Sequence, residues 1–257
     1  MRITSASVQK SIIPAVVVAA WESFGRAGAL PVYLSEPSQI LVALWGVAAD
    51  GELGVALAAS LYRVLAGFAI GAAAGVFAGV GAGRAPSVRN FFDPLVAFLF
   101  PVPKIAFLPV LLLLFGIGNG SKISVVALSC FFPVFIASRY SVLSINQLLI
   151  WSAQNMGAAR RTIFLRVVIP AAAPQLFAGV RVGLAHAFVV LFAAELIGSH
   201  AGLGNLIAEG EDAGRFDLML AGILAFGAMG FLGDRILMLI RQRVLKGQII
   251  GSEEQVR

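Results

Sequence analysis

The chain is short of charge. Only 12% of its 257 residues are Asp, Glu, Lys or Arg, whereas 59% are hydrophobic, and the mean hydropathy is +0.92. A soluble domain has roughly 25% charged and 45–50% apolar residues, so this chain has too few polar side chains to cover a globular surface. The shortage excludes an ordinary soluble fold and favours a protein whose surface is largely covered by lipid.

Cysteine and histidine are also scarce. Cys130 is the single cysteine, and there are two histidines. A lone cysteine excludes an internal disulfide and a cysteine-based zinc site, and we interpret Cys130 as a small apolar packing residue. No structural metal site is expected.

A phosphate-binding loop is missing as well. The run 116–122 reads Gly-Ile-Gly-Asn-Gly-Ser-Lys, but a phosphate loop requires Gly directly before Lys, and Ser121 is there instead. We interpret the run as a turn at a span junction. The chain is therefore not expected to be an enzyme or to bind a nucleotide cofactor.

Six apolar runs are candidates for helices that cross a bilayer core of about 30 Å, which takes about 20 residues. They lie near 9–27, 57–82, 92–115, 121–143, 172–197 and 217–240. The runs are apolar throughout rather than alternating, which predicts helices. Glu22 and Arg26 cut the first run short, and a cleaved signal peptide is its alternative interpretation; we expect a retained helix.

The basic residues predict the orientation of these spans. With the N-terminus inside, the cytoplasmic segments are 1–10, 83–91, 139–171 and 241–257. The outer segments are 28–56, 116–120 and 198–216. The first set holds twelve of the nineteen Lys and Arg residues, and the second holds only Arg215. The positive-inside rule therefore predicts an all-α protein with six spans and both termini in the cytoplasm. It also explains the net charge of +6 without a nucleic-acid partner.

Small and helix-breaking residues predict how two spans behave. In the second span, glycines recur every four residues, which predicts a close helix contact inside the bundle or at a subunit seam. These glycines are Gly67, Gly71, Gly75, Gly79 and Gly83. The third span carries four prolines, which predict a bent helix, either beside a pathway or merely packed in protein. They are Pro94, Pro101, Pro103 and Pro109.

The inner loop 144–168 has a pattern of its own. Ser144 and Gln147 have the spacing of a capping box, which predicts a short helix that ends at a turn at Gly157. A helix can resume over 158–168. Such a segment suits a docking element for a partner protein, and it also suits an interfacial helix without a partner.

The same loop resembles the EAA loop of ABC importer permeases. That pattern is Glu-Ala-Ala, three residues, Gly, nine residues, then Ile-x-Leu-Pro. This chain matches its second Ala, its Gly and its Pro with Ala153, Gly157 and Pro170. It has Trp151 in place of the Glu and Ser152 in place of the first Ala. The resemblance implies a coupling helix that docks in a groove of an ATPase subunit. The residues it assigns to that contact are Trp151, Ser152, Ala153, Met156, Gly157, Ala158, Arg160 and Arg161.

The resemblance covers nearly the whole chain. It includes 101–103, 114–118, 178–184 and 194–197, and together these segments are similar to the nitrate, sulfonate and bicarbonate group, with taurine permeases the nearest type. This implies a single permease domain over 1–257 with type I importer architecture in a bacterial inner membrane. It also implies a permease homodimer, two ATPases that bind ATP and Mg, and an extracytoplasmic solute-binding protein.

Ionisable residues inside spans are candidates for the solute path. We assign Arg63, Lys104 and His186 to that path, and regard Arg181 and Glu195 as structural positions of the family. Several positive groups favour a small anionic solute such as a sulfonate, nitrate or bicarbonate. An ATP-independent carrier or channel is one alternative, and a non-transporting membrane scaffold is the other.

Overall fold

The computed structural model describes residues 5–253, and it gives the surroundings of side chains over 12–245. Within that part every regular element is a helix, and there is no strand. The α-helices are α1 (Ser5–Arg26), α2 (Pro37–Ala49), α3 (Glu52–Arg84), α4 (Pro86–Leu99), α5 (Leu108–Phe115), α6 (Asn119–Leu143), α7 (Gln147–Asn155), α8 (Arg160–Ile163), α9 (Ile169–Gly198), α10 (Leu203–Asp212) and α11 (Phe216–Glu253). A 3₁₀ turn, Lys104–Phe107, precedes α5, and a π-helical turn, Phe164–Val168, joins α8 to α9.

Four of these helical segments are long and apolar enough to cross a membrane. Among the described residues they are Glu52–Arg84, Asn119–Leu143, Arg160–Gly198 and Phe216–Leu245. A fifth span results if α4 and the segment Lys104–Phe115 together form one crossing. The predicted first span falls in α1, which is not among them, so six spans stay a prediction.

The described residues form two compact units. The first comprises the described residues up to Ser60 with Gly198–Ala228, and the second comprises Leu61–Ile197 with the described residues from Met229 onwards. In the first unit α2 buries Ile40 and Ala43 against Ala221 of α11, and Val47 against Leu206 of α10 and Leu218. This spacing of three and four residues is that of one helix face, and it makes α2 the packing centre of the unit.

Helix α6 is the centre of the second unit. The five glycines that recur along α3 all face it: a Cβ on Gly67 would lie 2.7 Å from Val126 Cβ, and one on Gly83 would lie 2.8 Å from Val142 Cβ. Both residue numbers rise together along the contact, so α3 and α6 run parallel. Lipid provides no hydrophobic drive for helix association, and the missing side chains of α3 allow the two backbones to approach closely.

A second pair of glycines packs on α6 from α9. A Cβ on Gly183 would lie 2.6 Å from Val134 Cγ2, and one on Gly179 would collide with Ala137 Cβ. Cys130 Sγ donates to the Gly183 carbonyl at 3.2 Å. Residue numbers rise along α9 as they fall along α6, so these helices are antiparallel. The spacing of four residues between the two glycines was a readable signal that the sequence interpretation did not use.

The predicted third span is broken rather than bent. Helix α4 ends at Leu99, and Lys104–Phe115 continues at an angle of 94°. Pro101 and Pro103 lack backbone donors and disfavour helix at the residue before each of them. Lys104 closes the break, because its Nζ donates to the carbonyls of Leu99, Phe100 and Val102 at 3.0, 2.8 and 2.7 Å. A cation at a helix C-terminus is also stabilised by the partial negative charge of the helix dipole there.

Gly75 offers a test of the α3–α6 contact. A Cβ there would lie 2.8 Å from the Phe131 carbonyl oxygen and 2.9 Å from Val134 Cβ, so a larger residue must separate the helices. We expect Gly75→Leu to lower the free energy of unfolding by about 1–3 kcal/mol, the range for overpacking. Unfolding in mixed micelles with increasing dodecyl sulfate measures it.

Gly227 is the matched control, because a Cβ on it would meet no atom within 4 Å. Leu favours a helix over Gly by up to about 1 kcal/mol, so Gly227→Leu should leave stability unchanged or raise it. Equal losses in the two variants would contradict the packing role of Gly75.

Candidate coupling segment and in-span polar residues

The loop between α6 and α9 begins with a cap that the sequence interpretation placed wrongly. Asn146, not Ser144, is the N-cap of α7, and its side chain accepts a hydrogen bond from Leu148 N at 2.9 Å. Ser144 ends α6 instead, and its hydroxyl contacts Gln175 Oε1 at 3.0 Å. Asn and Ser are both good N-caps, so the capping-box spacing alone could not choose between them.

Helix α7 ends in a Schellman motif centred on Gly157. Gly157 N donates to the Gln154 carbonyl at 2.9 Å, and Ala158 N donates to the Ala153 carbonyl at 3.0 Å. Gly157 has φ +76°, a conformation that costs little only for glycine. The predicted turn is therefore formed by the predicted residue. The helix that follows starts at Arg160, two residues later than expected, and continues as a π-helical turn rather than an α-helix.

The two faces of α7 have different surroundings. The inner face places Ala153 and Ile150 in a core cluster with Ile145, Ile163 and Val168. The outer face leaves large apolar side chains exposed. They are Leu148, Leu149, Trp151 (55% exposed) and Met156 (81% exposed). An exposed apolar patch of this kind suits contact with a partner protein or with the membrane interface.

The remaining residues assigned to coupling flank this patch. Ser152, Gly157, Arg160 and Arg161 are exposed, and Ala158 is half-buried against the α7 cluster. The segment is tied to the end of α3, because the guanidinium of Arg84 lies 3.7 Å from the centroid of the Phe164 ring. The outer face of the loop thus combines apolar and basic groups on a support that its inner face holds in place.

Arg63 forms a buried ion pair that the sequence did not reveal. Its Nη1 lies 2.6 Å from Glu195 Oε1, and its Nε donates to Asn119 Oδ1 at 2.7 Å. The side chains of Arg63 and Glu195 are 7% and 0% exposed. Three helices, α3, α6 and α9, meet through these groups. These contacts hold the Arg63 side chain in place between the helices, and its assignment to the solute path stays a prediction.

Lys122 lies in the same region and is fully buried. Its Nζ donates to the Ile117 carbonyl at 3.0 Å. Lys122, Arg63 and Glu195 are three charges inside apolar runs, and such charges usually pair with one another. That rule predicts that such charges have partners, but it does not say which of them pair.

Lys104 and His186 occupy different environments. All three N–H donors of Lys104 are engaged by carbonyls at the α4–α5 break, and the ammonium lies 4.6 Å from the Phe132 ring centroid. His186 is exposed on α9, and its backbone carbonyl accepts from Ser129 Oγ at 3.4 Å. The structure thus gives Arg63, Lys104 and His186 three separate sets of neighbours.

Arg181 pairs with a residue that the sequence interpretation did not single out. Its Nε and Nη2 donate to Asp234 Oδ1 and Oδ2 at 2.6 and 2.9 Å, a bidentate arrangement. The pair joins α9 to α11. The Arg181 side chain is 52% exposed, so this ion pair, unlike that of Arg63, lies on the surface of the chain.

Comparison with known proteins gives a consistent result. Residues 71–246 match the family described as binding-protein-dependent transport system inner membrane component. The chain is 35% identical over 222 residues to the taurine transport system permease protein of Escherichia coli (strain K12), which covers 83% of this chain and 80% of the relative. It is 32% identical to a putative aliphatic sulfonates transport permease protein of Bacillus subtilis (strain 168), over 91% of this chain and 86% of the relative.

Two further similar proteins are a nitrate permease and a transporter of known structure. The nitrate import permease protein of Leptolyngbya laminosa is 28% identical over 78% of this chain and 72% of its own length. Among solved structures, an inward-facing conformation of the MetNI methionine ABC transporter is similar with a TM-score of 0.54 and 20% identity. It covers 72% of this chain and 92% of the transporter chain. This last likeness concerns the fold alone.

Glu195 offers a test of the buried cluster. Glu195→Ala leaves Arg63 and Lys122 without their buried counter-charge, which should lower the free energy of unfolding by about 3–5 kcal/mol. The same mixed-micelle titration measures it. Glu211→Ala, which removes an exposed carboxylate of α10, should change stability by less than about 0.5 kcal/mol.

A double variant separates a pairing role from simple damage. Arg63→Met with Glu195→Leu removes both charges of the ion pair, and it should be less destabilised than the sum of its two single variants, because each single change removes one partner and leaves the other buried. Additive losses would contradict the pairing.

Proposed function

The chain belongs to the family of binding-protein-dependent transport system inner membrane components and is a permease subunit of an ABC importer; on this premise we propose that it forms, as a homodimer, the translocation path for a small organic sulfonate. Its relatives are permeases named for taurine, aliphatic sulfonates and nitrate. The chain is a multi-pass membrane protein that works with ATPase and binding-protein partners. ATP and Mg would be bound by the ATPase, and this chain would have no catalytic site.

The exposed face of α7 carries the proposal for coupling. Trp151, Met156 and their apolar neighbours face away from the core that anchors α7, and an amphipathic helix of this kind docks its apolar side into a groove. The groove would belong to the ATPase. Arg160 and Arg161, both exposed, would add charged contacts at the rim. In this scheme, closure of the ATPase dimer moves α7, and the core cluster beneath α7 transmits the movement to α6 and α9.

A topology with six spans and both termini in the cytoplasm fits the helix directions. Helix α3 runs parallel to α6 and antiparallel to α9, as the second, fourth and fifth of six successive crossings must. The first crossing would be α1, and α4 with α5 would form the third. The membrane would be the bacterial inner membrane, since the members of the family are described as inner membrane components.

Trp151 gives the sharpest test of coupling. We expect Trp151→Ala to weaken binding of the cognate ATPase at least tenfold, because an exposed Trp on a docking face is a typical hot spot. The measurement is ATPase binding to the full chain in lipid nanodiscs. Phe77→Ala is the matched control, since Phe77 is an exposed aromatic of α3 outside the loop, and it should bind like the wild type.

Gly157→Val provides an independent variant, because a β-branched residue at φ +76° is strained and should displace Ala158 from α7. It should reduce ATPase binding while the chain remains folded by its elution profile. If the wild type itself bound no ATPase, an ATP-independent carrier or a scaffold would replace the importer interpretation for this chain.

The topology can be tested by reporter fusions. Green fluorescent protein joined to either end of the chain should fluoresce, because it does not become fluorescent when exported in unfolded form. Alkaline phosphatase joined after Asp50 should be active, because residue 50 lies in a predicted outer segment. An N-terminal fusion without fluorescence, together with active phosphatase after Asp50, would remove the first span and leave five.

A further inference from the structure

The surface between α9 and α11 contains a groove of about 460 Å³. Arg181 and Asp234 form its polar part. Apolar side chains form most of the remaining lining: Val182, Leu184, Ala185 and Phe188. Its volume is within the range of small-molecule sites, which are mostly apolar with a few placed polar groups.

The ion pair lies deep in the predicted spans. Arg181 is about four residues, or about 5 Å, from the middle of the span 172–197, and Asp234 is about 8 Å from the middle of the span 217–240, at 1.5 Å per residue. In the proposed topology both displacements are towards the cytoplasm, which agrees with their contact. A hydrocarbon core of about 30 Å therefore has both charges well inside it.

Charges at that depth do not face lipid without a large cost, and they usually face the bundle interior or a water-filled cavity. Arg181 and Asp234 have 52% and 33% of their side-chain surfaces exposed. The surface that carries them therefore requires water or protein against it when the chain is in a bilayer. Since the groove is open and large enough for a solute, water and solute are the simplest occupants.

The chemistry of the pair selects the kind of solute. Arg has five N–H donors, and Asp234 accepts two of them. Within the described part of the chain, the other three meet no acceptor. Asp234 fixes the guanidinium in place and balances its charge, so an anion is attracted but held weakly, as passage along a path requires. The apolar lining suits an anion with a hydrocarbon body and gives nothing to a bare nitrate or bicarbonate.

We propose that the α9–α11 groove lines the translocation path, with Arg181 as the contact for the sulfonate group and Asp234 as its positioning residue. The proposal rests on the importer function and names the substrate class and its contact in this chain. It places the anion contact on Arg181, not on the buried Arg63 or on Lys104, whose donors are all engaged.

The experiment uses a thiol placed in the groove. Ala185 is exposed, lies one turn after Arg181 and lines the groove, so its side chain is a neighbour of Arg181 on the same helix face. Ala185→Cys is made in a Cys130→Ser background, and the full chain is placed in lipid nanodiscs. Two membrane-impermeant reagents are compared: 2-sulfonatoethyl methanethiosulfonate, which carries an ethylsulfonate, and its trimethylammonium analogue. Gln242→Cys, an exposed position beyond the last predicted span, normalises the two rates.

We expect the normalised rate with the sulfonate reagent to exceed that with the cationic reagent about tenfold, the lower end of the effect of a fixed charge in a cleft. Ethanesulfonate should compete with labelling, and nitrate should compete less. Arg181→Gln with Asp234→Asn removes both charges and keeps the net charge, and it should abolish the preference while labelling continues. Phe77→Cys, an exposed position on α3, should react with neither reagent if it faces lipid.

Three results would overturn the proposal. Absence of labelling at residue 185, with normal labelling at 242, would mean that lipid or protein covers the groove. Oxidative cross-linking of two copies through the thiol introduced at position 185, together with loss of labelling in the dimer, would mean that a second copy of the chain packs directly on the groove and leaves no room for a solute. Equal rates that the double variant does not change would mean an aqueous groove without an anion contact. None of these results would contradict the importer function, because that function is tested separately by ATPase binding.

Discussion

The close approach of α3 and α9 to α6 is the constraint on which the second unit depends. In a bilayer the packing of helices gains nothing from exclusion of lipid tails, so contact area between backbones must replace it. Glycines supply that contact on both sides of α6, from Gly67 to Gly83 on α3 and at Gly179 and Gly183 on α9. The same packing brings Arg63 within reach of Glu195, because α3 and α9 both pack on α6.

Charges inside the spans follow from this packing. Glu195 balances Arg63, Asp234 balances Arg181, and carbonyl groups accept from Lys104 and Lys122. Each group therefore retains a partner that replaces part of its lost hydration, which is the condition for an ionisable residue at membrane depth. The two ion pairs differ in surroundings, since one is buried and the other exposed. A buried pair locks three helices together, whereas an exposed pair in a span requires an environment that the chain alone does not supply.

The features that could be predicted from the sequence are those that depend on residues close together along the chain. A repeat of four residues identified the glycine face of α3, and Gly157 marked the end of α7 because a positive φ favours glycine there. Pairs distant in sequence were not predicted: Arg63 and Glu195 are 132 residues apart, and their contact requires α3 and α9 to meet first. The prolines of the third span indicated a bend, but its 94° angle depends on how Lys104 closes the break. Asn146 shows a third limit, because two equally good caps two residues apart differ only in tertiary context.

The replacement of the family's Glu by Trp151 can be placed in this structure. The residues that anchor α7 are Ile150 and Ala153 on its inner face, and Trp151 lies on the other face, exposed. The substitution therefore leaves the support of α7 intact and changes only the surface offered to a partner. With an apolar ring in place of a carboxylate, the contact would be stabilised by burial of apolar surface instead of by charge. Salt screens interactions between charges, so such a contact would depend little on salt. In the proposed coupling role, docking would depend on shape complementarity in the partner's groove, with Arg160 and Arg161 as the charged groups beside it.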